Sequence, residues 1–219
     1  MKERSMIKRL LLSLSLLTLI TSHAVAEDAA ASYVEGTHYD LIEPAVRTAD
    51  SSKIEVAEFF WYGCGHCYTF EPMVQQWKKT LPEDVDFRGS PAIWNEKMEL
   101  HARAYYTADV LGVMDTMHPV IFQAMNVDRK PLGSEQDIAK LFAANGVSAE
   151  DFNKAFSSFG VDSQVRQANS RARAAKITGT PALMVNGKYH VSTRKAGSQT
   201  NMLKVAEYLI EKERAASGS

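Results

Sequence analysis

Two cysteines stand two residues apart in Tyr62-Gly63-Cys64-Gly65-His66-Cys67, and they are the only two in the 219-residue chain. Any sulfur chemistry the protein performs is done there. If Cys64 closes the turn after a strand and Cys67 lies in the first turn of the following helix, the sulfurs come within disulfide range with little backbone movement. The unpaired N–H groups and positive dipole of that helix end favour a thiolate at Cys64. His66, between the two, adds a second lever, because a ring cation near sulfur stabilises the anion. Cysteines in such settings titrate at roughly 3.5–7.5 instead of about 8.5, which makes Cys64 a candidate nucleophile.

Three other readings of the pair carry less weight. A structural zinc site takes four ligands, and this chain has no second cysteine pair and only scattered histidines. Attachment of c-type haem needs His directly after the second cysteine, where Tyr68 stands. A purely structural bridge stays open, although so short a loop removes little entropy from the unfolded chain.

The elements around the pair are legible from pattern. Ile54 to Tyr62 is rich in β-branched and aromatic residues with Glu58 in its middle, as in a strand covered on both faces. Phe70, Val74, Trp77 and Leu81 then recur at helical spacing, with Pro72 predicting a kink. Val85 to Arg88 reads as the next strand, giving a βαβ unit with the cysteines at the carboxyl end of a central strand. A short first strand is expected within Tyr33 to Pro44. From about Asn95 to Ile177 strand signals vanish. Capping patterns at Ser134 with Asp137 and Ser148 with Asp151 point to a helical insertion, placed at about 95–165. Its Met98, Met114, Met117 and Met125 read as core rather than as an adaptable peptide surface. Arg166, Arg171, Arg173 and Lys176 read as the wet side of a helix. After Thr180-Pro181, Asn186-Gly187 joins two β-rich runs as a hairpin, and Met202 to Lys212 closes the chain as a helix.

The N-terminus bears on the cysteines. A basic start, the apolar run Leu10 to Ile20 and Ala24-Val25-Ala26 form the pattern of a secretory signal cut before Glu27, with 27–219 as the mature domain. A run of eleven residues is too short to span a bilayer. Export brings a thiol pair into an oxidising compartment. Cleavage removes Lys2, Arg4, Lys8, Arg9 and Glu3, leaving 21 Lys and Arg against 25 Asp and Glu, a formal charge of −4. That balance gives no reason to invoke nucleic acid or anionic lipid. No heptad run suggests assembly, so a monomer is expected.

Taken together, Glu58-Phe59-Phe60, Tyr62-Gly63-Cys64-Gly65-His66-Cys67-Tyr68 with Phe70-Glu71, and Gly179-Thr180-Pro181 with Val185-Asn186-Gly187-Lys188-Tyr189 resemble DsbA-type periplasmic thiol:disulfide oxidoreductases over residues 33–212. The resemblance implies an α/β, thioredoxin-like fold with a helical insertion. It implies that Cys64 is the exposed, attacked sulfur and Cys67 its buried partner. Pro181 would be cis, with the backbone of Thr180 beside the disulfide, ready to pair with an extended substrate; the plain alternative is a strand-entry proline. Glu58 sits where thioredoxin-like proteins often keep a buried acid, which could exchange the proton that thiol chemistry needs; the alternative is an ion-paired structural acid. Glu71 reads as a surface modulator of charge. Many strong oxidants of this family carry Pro-His between the cysteines, whereas Gly65-His66 is the dipeptide also seen in protein disulfide isomerases, a departure that bears on the redox poise. The implied partners are reduced or unfolded exported proteins and a membrane oxidase of DsbB type coupled to quinones, with no metal and no cofactor beyond the Cys64–Cys67 disulfide. The competing readings are a periplasmic reductase or isomerase on the same fold, and a peptide-binding chaperone or metal carrier.

Overall fold

The computed structural model describes residues 33–217, so the expected signal segment at 1–26 lies outside the described residues. The chain enters with β1 (Asp40–Leu41) and continues with β2 (Ile54–Phe60), α1 (Gly65–Lys78) and β3 (Val85–Pro91). Strands β2 and β3 pair in parallel from Ile54 opposite Val85 to Phe60 opposite Pro91, which completes the βαβ unit. Helix α1 runs through Pro72, whose missing N–H leaves one rung of the ladder unmade.

Five helices follow between β3 and β4: α2 (Glu96–Val110), α3 (Met114–Asn126), α4 (Glu135–Ala143), α5 (Ala149–Phe156) and α6 (Phe159–Ala174). The Ser134 and Ser148 hydroxyls accept from the backbone N–H of Asp137 and Asp151 and donate to their carboxylates, so both expected caps form. The chain returns through β4 (Ala182–Val185), β5 (Tyr189–Ser192) and the short α7 (Thr193–Ala196), and ends in α8 (Gln199–Ser217). Among the described residues the sheet order is β1-β5-β4-β2-β3.

Every residue of β2 is buried, because the strand is covered on both faces. Side chains alternate, so Ile54, Val56, Glu58 and Phe60 share one face and Glu55, Ala57 and Phe59 the other. On the first face Ile54 and Val56 pack with Phe70, Val74 and Trp77 of α1 and with Met202, Val205 and Leu209 of α8. At its carboxyl end, Phe60 joins Cys67 in a separate core built largely from the insertion helices. On the second face Ala57 and Phe59 meet Ala172 and Ala175 at the end of α6. The hairpin turns at Asn186 and Gly187 with φ of 49° and 68°. A Cβ on Gly187 would lie 1.9 Å from the carbonyl oxygen of Val46, so only glycine fits. Met98 and Met117 are buried, and Met114 and Met125 pack against the insertion core, in keeping with the core reading.

Candidate active site

The turn leaving β2 is built to present Cys64. The Cys64 N–H closes onto the Trp61 carbonyl at 2.9 Å. Gly63 lies against the Trp61 indole so closely that a Cβ would come within 2.4 Å of the ring. The indole is itself fixed: Trp61 Nε1–H donates to His101 Nδ1 at 2.9 Å, and the other ring nitrogen of His101 bonds the Leu132 carbonyl at 3.1 Å. Burial depresses the proton affinity of His101, which suits a neutral ring that accepts from tryptophan.

Cys64 is the N-cap of α1, in extended conformation, and its Sγ accepts the Cys67 N–H at 3.2 Å. Across the site, the Thr180–Pro181 bond is cis. The Cys64 thiol reaches the Thr180 carbonyl at 3.5 Å. Neither cysteine is bonded to the other in this structure; Cys64 is half-buried and Cys67 buried. Their proton affinities diverge. The hydrogen bond from the Cys67 side chain is the largest influence on Cys64; with the Thr180 side chain and the helix N–H groups of Cys67 and His66, it overcomes partial burial and lowers the Cys64 thiol to about 6. Burial, followed by donation to Cys64 and the nearby Cys64 charge, pushes the Cys67 thiol far above its ordinary value. His66 contributes its backbone N–H to lowering Cys64, and its side chain is exposed.

Glu58 is buried in the middle of β2, on the face covered by α1, and one of its carboxyl oxygens has no hydrogen-bond partner. Burial first, and then the negative charge of Glu71, raise its proton affinity well above that of a free carboxyl; Lys78 works in the other direction. Glu71 is not the surface residue expected from its sequence position. Its carboxylate is paired with His118 Nε2 at 3.2 Å with both side chains largely covered, and it also receives the Gln75 amide. These contacts hold it below the usual carboxylate range despite burial. The remaining nitrogen of His118 meets the Tyr62 hydroxyl at 2.8 Å. Helix α3 grips the same segment twice more: Asn126 donates to the Tyr62 carbonyl at 2.8 Å, and the Tyr68 hydroxyl to Gln123 at 3.3 Å. No local sequence signal marks His118, because its partners lie 47 and 56 positions away. Among the described residues no group of three or more His, Cys, Asp or Glu side chains is placed to hold a metal ion.

A Cys-x-x-Cys at the start of the helix after a central strand, faced by a cis-proline loop, defines a thioredoxin-fold thiol:disulfide oxidoreductase. The family model of the DSBA-like thioredoxin domain matches residues 81–204. The chain is 42% identical over 181 residues to the thiol:disulfide interchange protein DsbA of Azotobacter vinelandii, covering 83% of this chain and 85% of that one. It is 37% identical over 204 residues to DsbA of Pseudomonas aeruginosa PAO1, covering 93% and 95%. A crystal structure of Pseudomonas aeruginosa DsbA superposes with a TM-score of 0.82 at 38% identity, covering 85% of this chain and 97% of that one. The chain therefore belongs to the DsbA family, and its redox chemistry is carried by the Cys64–Cys67 pair.

Proposed function

We propose that the protein works in the oxidising direction, giving its Cys64–Cys67 disulfide to reduced proteins after their export to the periplasm. A client thiolate attacks Cys64 Sγ, the Cys64–Cys67 bond breaks, and Cys67 leaves as a thiolate that takes up a proton. A second client thiolate then attacks the client sulfur of the mixed disulfide. Cys64 departs as the anion, the client is oxidised, and the enzyme is left reduced by two electrons. Glu58 serves as the proton store for Cys67, Gly65 and His66 supply the helix start, and the Thr180–Pro181 backbone aligns the client as an extended strand. Reoxidation falls to a membrane oxidase of DsbB type. Residues 1–26 would carry the chain across the membrane as a cleaved signal, and the mature domain acts as a monomer.

The observation that carries this reading is the inequality of the two sulfurs. A Cys64 thiol lowered to about 6 is mostly thiolate at neutral pH, and a stabilised thiolate favours the reduced enzyme. The test combines a titration of the thiolate absorbance with the potential from glutathione equilibration. A midpoint near 8.5 together with a potential near −270 mV would remove the oxidase reading. Cys64→Ser is expected to abolish oxidation of a reduced test protein, by on the order of a thousandfold or more. Peptide capture undiminished by that change, with disulfide formation intact, would favour a binder instead.

A second reading, an isomerase or reductase, draws support from Gly65. A Cβ added at this position would meet nothing within 4 Å, so steric crowding does not demand glycine. The same potential measurement separates the two directions.

A further inference from the structure

The oxidase mechanism leaves one largely covered constellation unused: Tyr62, His118 and Glu71, tied in a row between the insertion and the motif. We propose that His118 is a positioning residue for the exchange reaction: by bridging Tyr62 and Glu71 it pins the Glu71 carboxylate near the buried Glu58, and so controls how readily Glu58 trades a proton with Cys67. The inference rests on the reading of Glu58 as the proton store.

The geometry gives each ring nitrogen one task. Burial holds the Tyr62 phenol protonated, so its hydroxyl can donate to Nδ1 of His118, which leaves Nε2–H to donate to Glu71. The ring has no freedom to turn away. It packs edge-on against Phe60, Tyr62, Tyr105 and Phe122 at centroid distances of 5.3, 5.3, 5.7 and 5.0 Å. Glu71, by contrast, has an alternative. It lines a cavity of about 730 Å³, together with Glu58 and His118, along the edge of β3. Without its histidine, the carboxylate would turn into that water-accessible space, away from Glu58.

Several of the other charges facing this corner are paired elsewhere. From β3, Arg88 is paired with Asp86 and Glu55. From α6, Arg171 is paired with Glu55. From α2, Tyr105 is a buried phenol whose proton affinity is raised, and Asp109 accepts from Gln164 at 3.2 Å. Asp115 of α3 lines the outer cavity. Lys78 and Cys64 act on Glu58 directly, with opposite signs. Glu71 is thus the carboxylate with the largest hold on Glu58; Gln75, on the same helix, donates to it from one side and His118 ties it across to α3.

The step affected is resolution of a mixed disulfide at Cys64. Cys67 gives its thiol proton to the Glu58 carboxylate and attacks Cys64 Sγ. The Cys64–Cys67 bond forms, the bond to the external sulfur breaks, and that sulfur leaves as a thiolate that takes a proton from water. The full mature protein, carrying glutathione on Cys64, would be followed by stopped flow across the acid-to-alkaline range for release of glutathione. In His118→Phe, which keeps the aromatic packing, the midpoint of the pH step is expected to fall by about half a unit to one unit. Glu71→Gln should lower it by a similar amount, the double variant no further, and His118→Gln, which keeps a donor, should restore part of it. An unmoved midpoint in a merely less stable His118→Phe, or additive shifts in the double variant, would overturn the assignment. Glu58→Gln separates the layers. Loss of the pH step there with no effect of His118→Phe sinks only the role of His118, whereas a wild-type profile in Glu58→Gln removes the proton-store reading and this inference with it.

Discussion

Strand β2 carries two buried glutamates three residues apart, Glu55 at 1% exposure and Glu58 at 3%, and they live in opposite environments. The alternation of a strand sends them to opposite faces. Glu55 looks towards α6, where Arg171 offers its guanidinium group; Arg88 of β3 adds a second, and the Ala49 N–H donates at 2.9 Å. Glu58 looks towards α1, where one oxygen finds no donor and the dominant charge is another carboxylate. Burial alone therefore does not distinguish a structural acid from a reactive one. The inventory of partners does: Glu55 is met by two guanidinium groups and a backbone N–H, whereas the unmet Glu58 beside a second acid is pushed towards holding a proton.

The comparison breaks most visibly at Glu55. Glu55→Gln leaves Arg171 facing a neutral amide in a largely covered site, and removing one partner of a buried pair costs about 3–5 kcal/mol. Because Arg88 keeps water access, a loss of about 3 kcal/mol is expected in urea unfolding. The exchange rate of the folded fraction should stay at the wild-type value. A slowed exchange with unchanged stability would mean that Glu55, not Glu58, is the chemically coupled acid.

Glu58→Leu should act in the reverse sense. It removes an unmet polar group, which typically costs about 1–3 kcal/mol, so a gain of about 1 kcal/mol is expected at neutral pH. The sign with pH follows from the raised proton affinity. Above the unfolded carboxyl value of 4.5 the unfolded chain has lost this proton while the native state keeps it. Stability therefore falls as pH rises until Glu58 itself ionises in the fold. The leucine variant lacks that slope, so its advantage should widen with pH in unfolding curves. A widening in the acid direction would show that Glu58 is held as an anion in the fold.

Much of the scaffold was legible because its signals are local. The strand from Ile54, the helix with Phe70, Val74 and Trp77 on one stripe, both serine caps and the Asn186-Gly187 hairpin each follow from residues within one turn or one strand of each other. What periodicity could not supply was the identity of the facing group. Arg171 read as solvated, yet it reaches Glu55, 116 positions away. Glu71 read as a surface charge because nothing nearby announces His118. The Glu43–Pro44 bond is also cis, with no local signal to mark it.

The smallest expected effect sharpens the contrast at the sulfur itself. In the reduced protein the Cys64 thiolate should titrate at about 6. Its depressed value makes the reduced state gain stability as pH rises from there towards the unfolded value of 9.0, and lose that gain as pH falls through the folded midpoint. Glu55→Gln acts on the far face of the sheet and should leave the midpoint where it is. Glu58→Leu should move it by roughly 0.3 unit or less, because a carboxyl that already holds its proton has little field to withdraw. A fall of a full unit in the leucine variant would require Glu58 to be an anion while Cys64 titrates, and would remove the reading of Glu58 as a carboxyl that holds its proton in the fold.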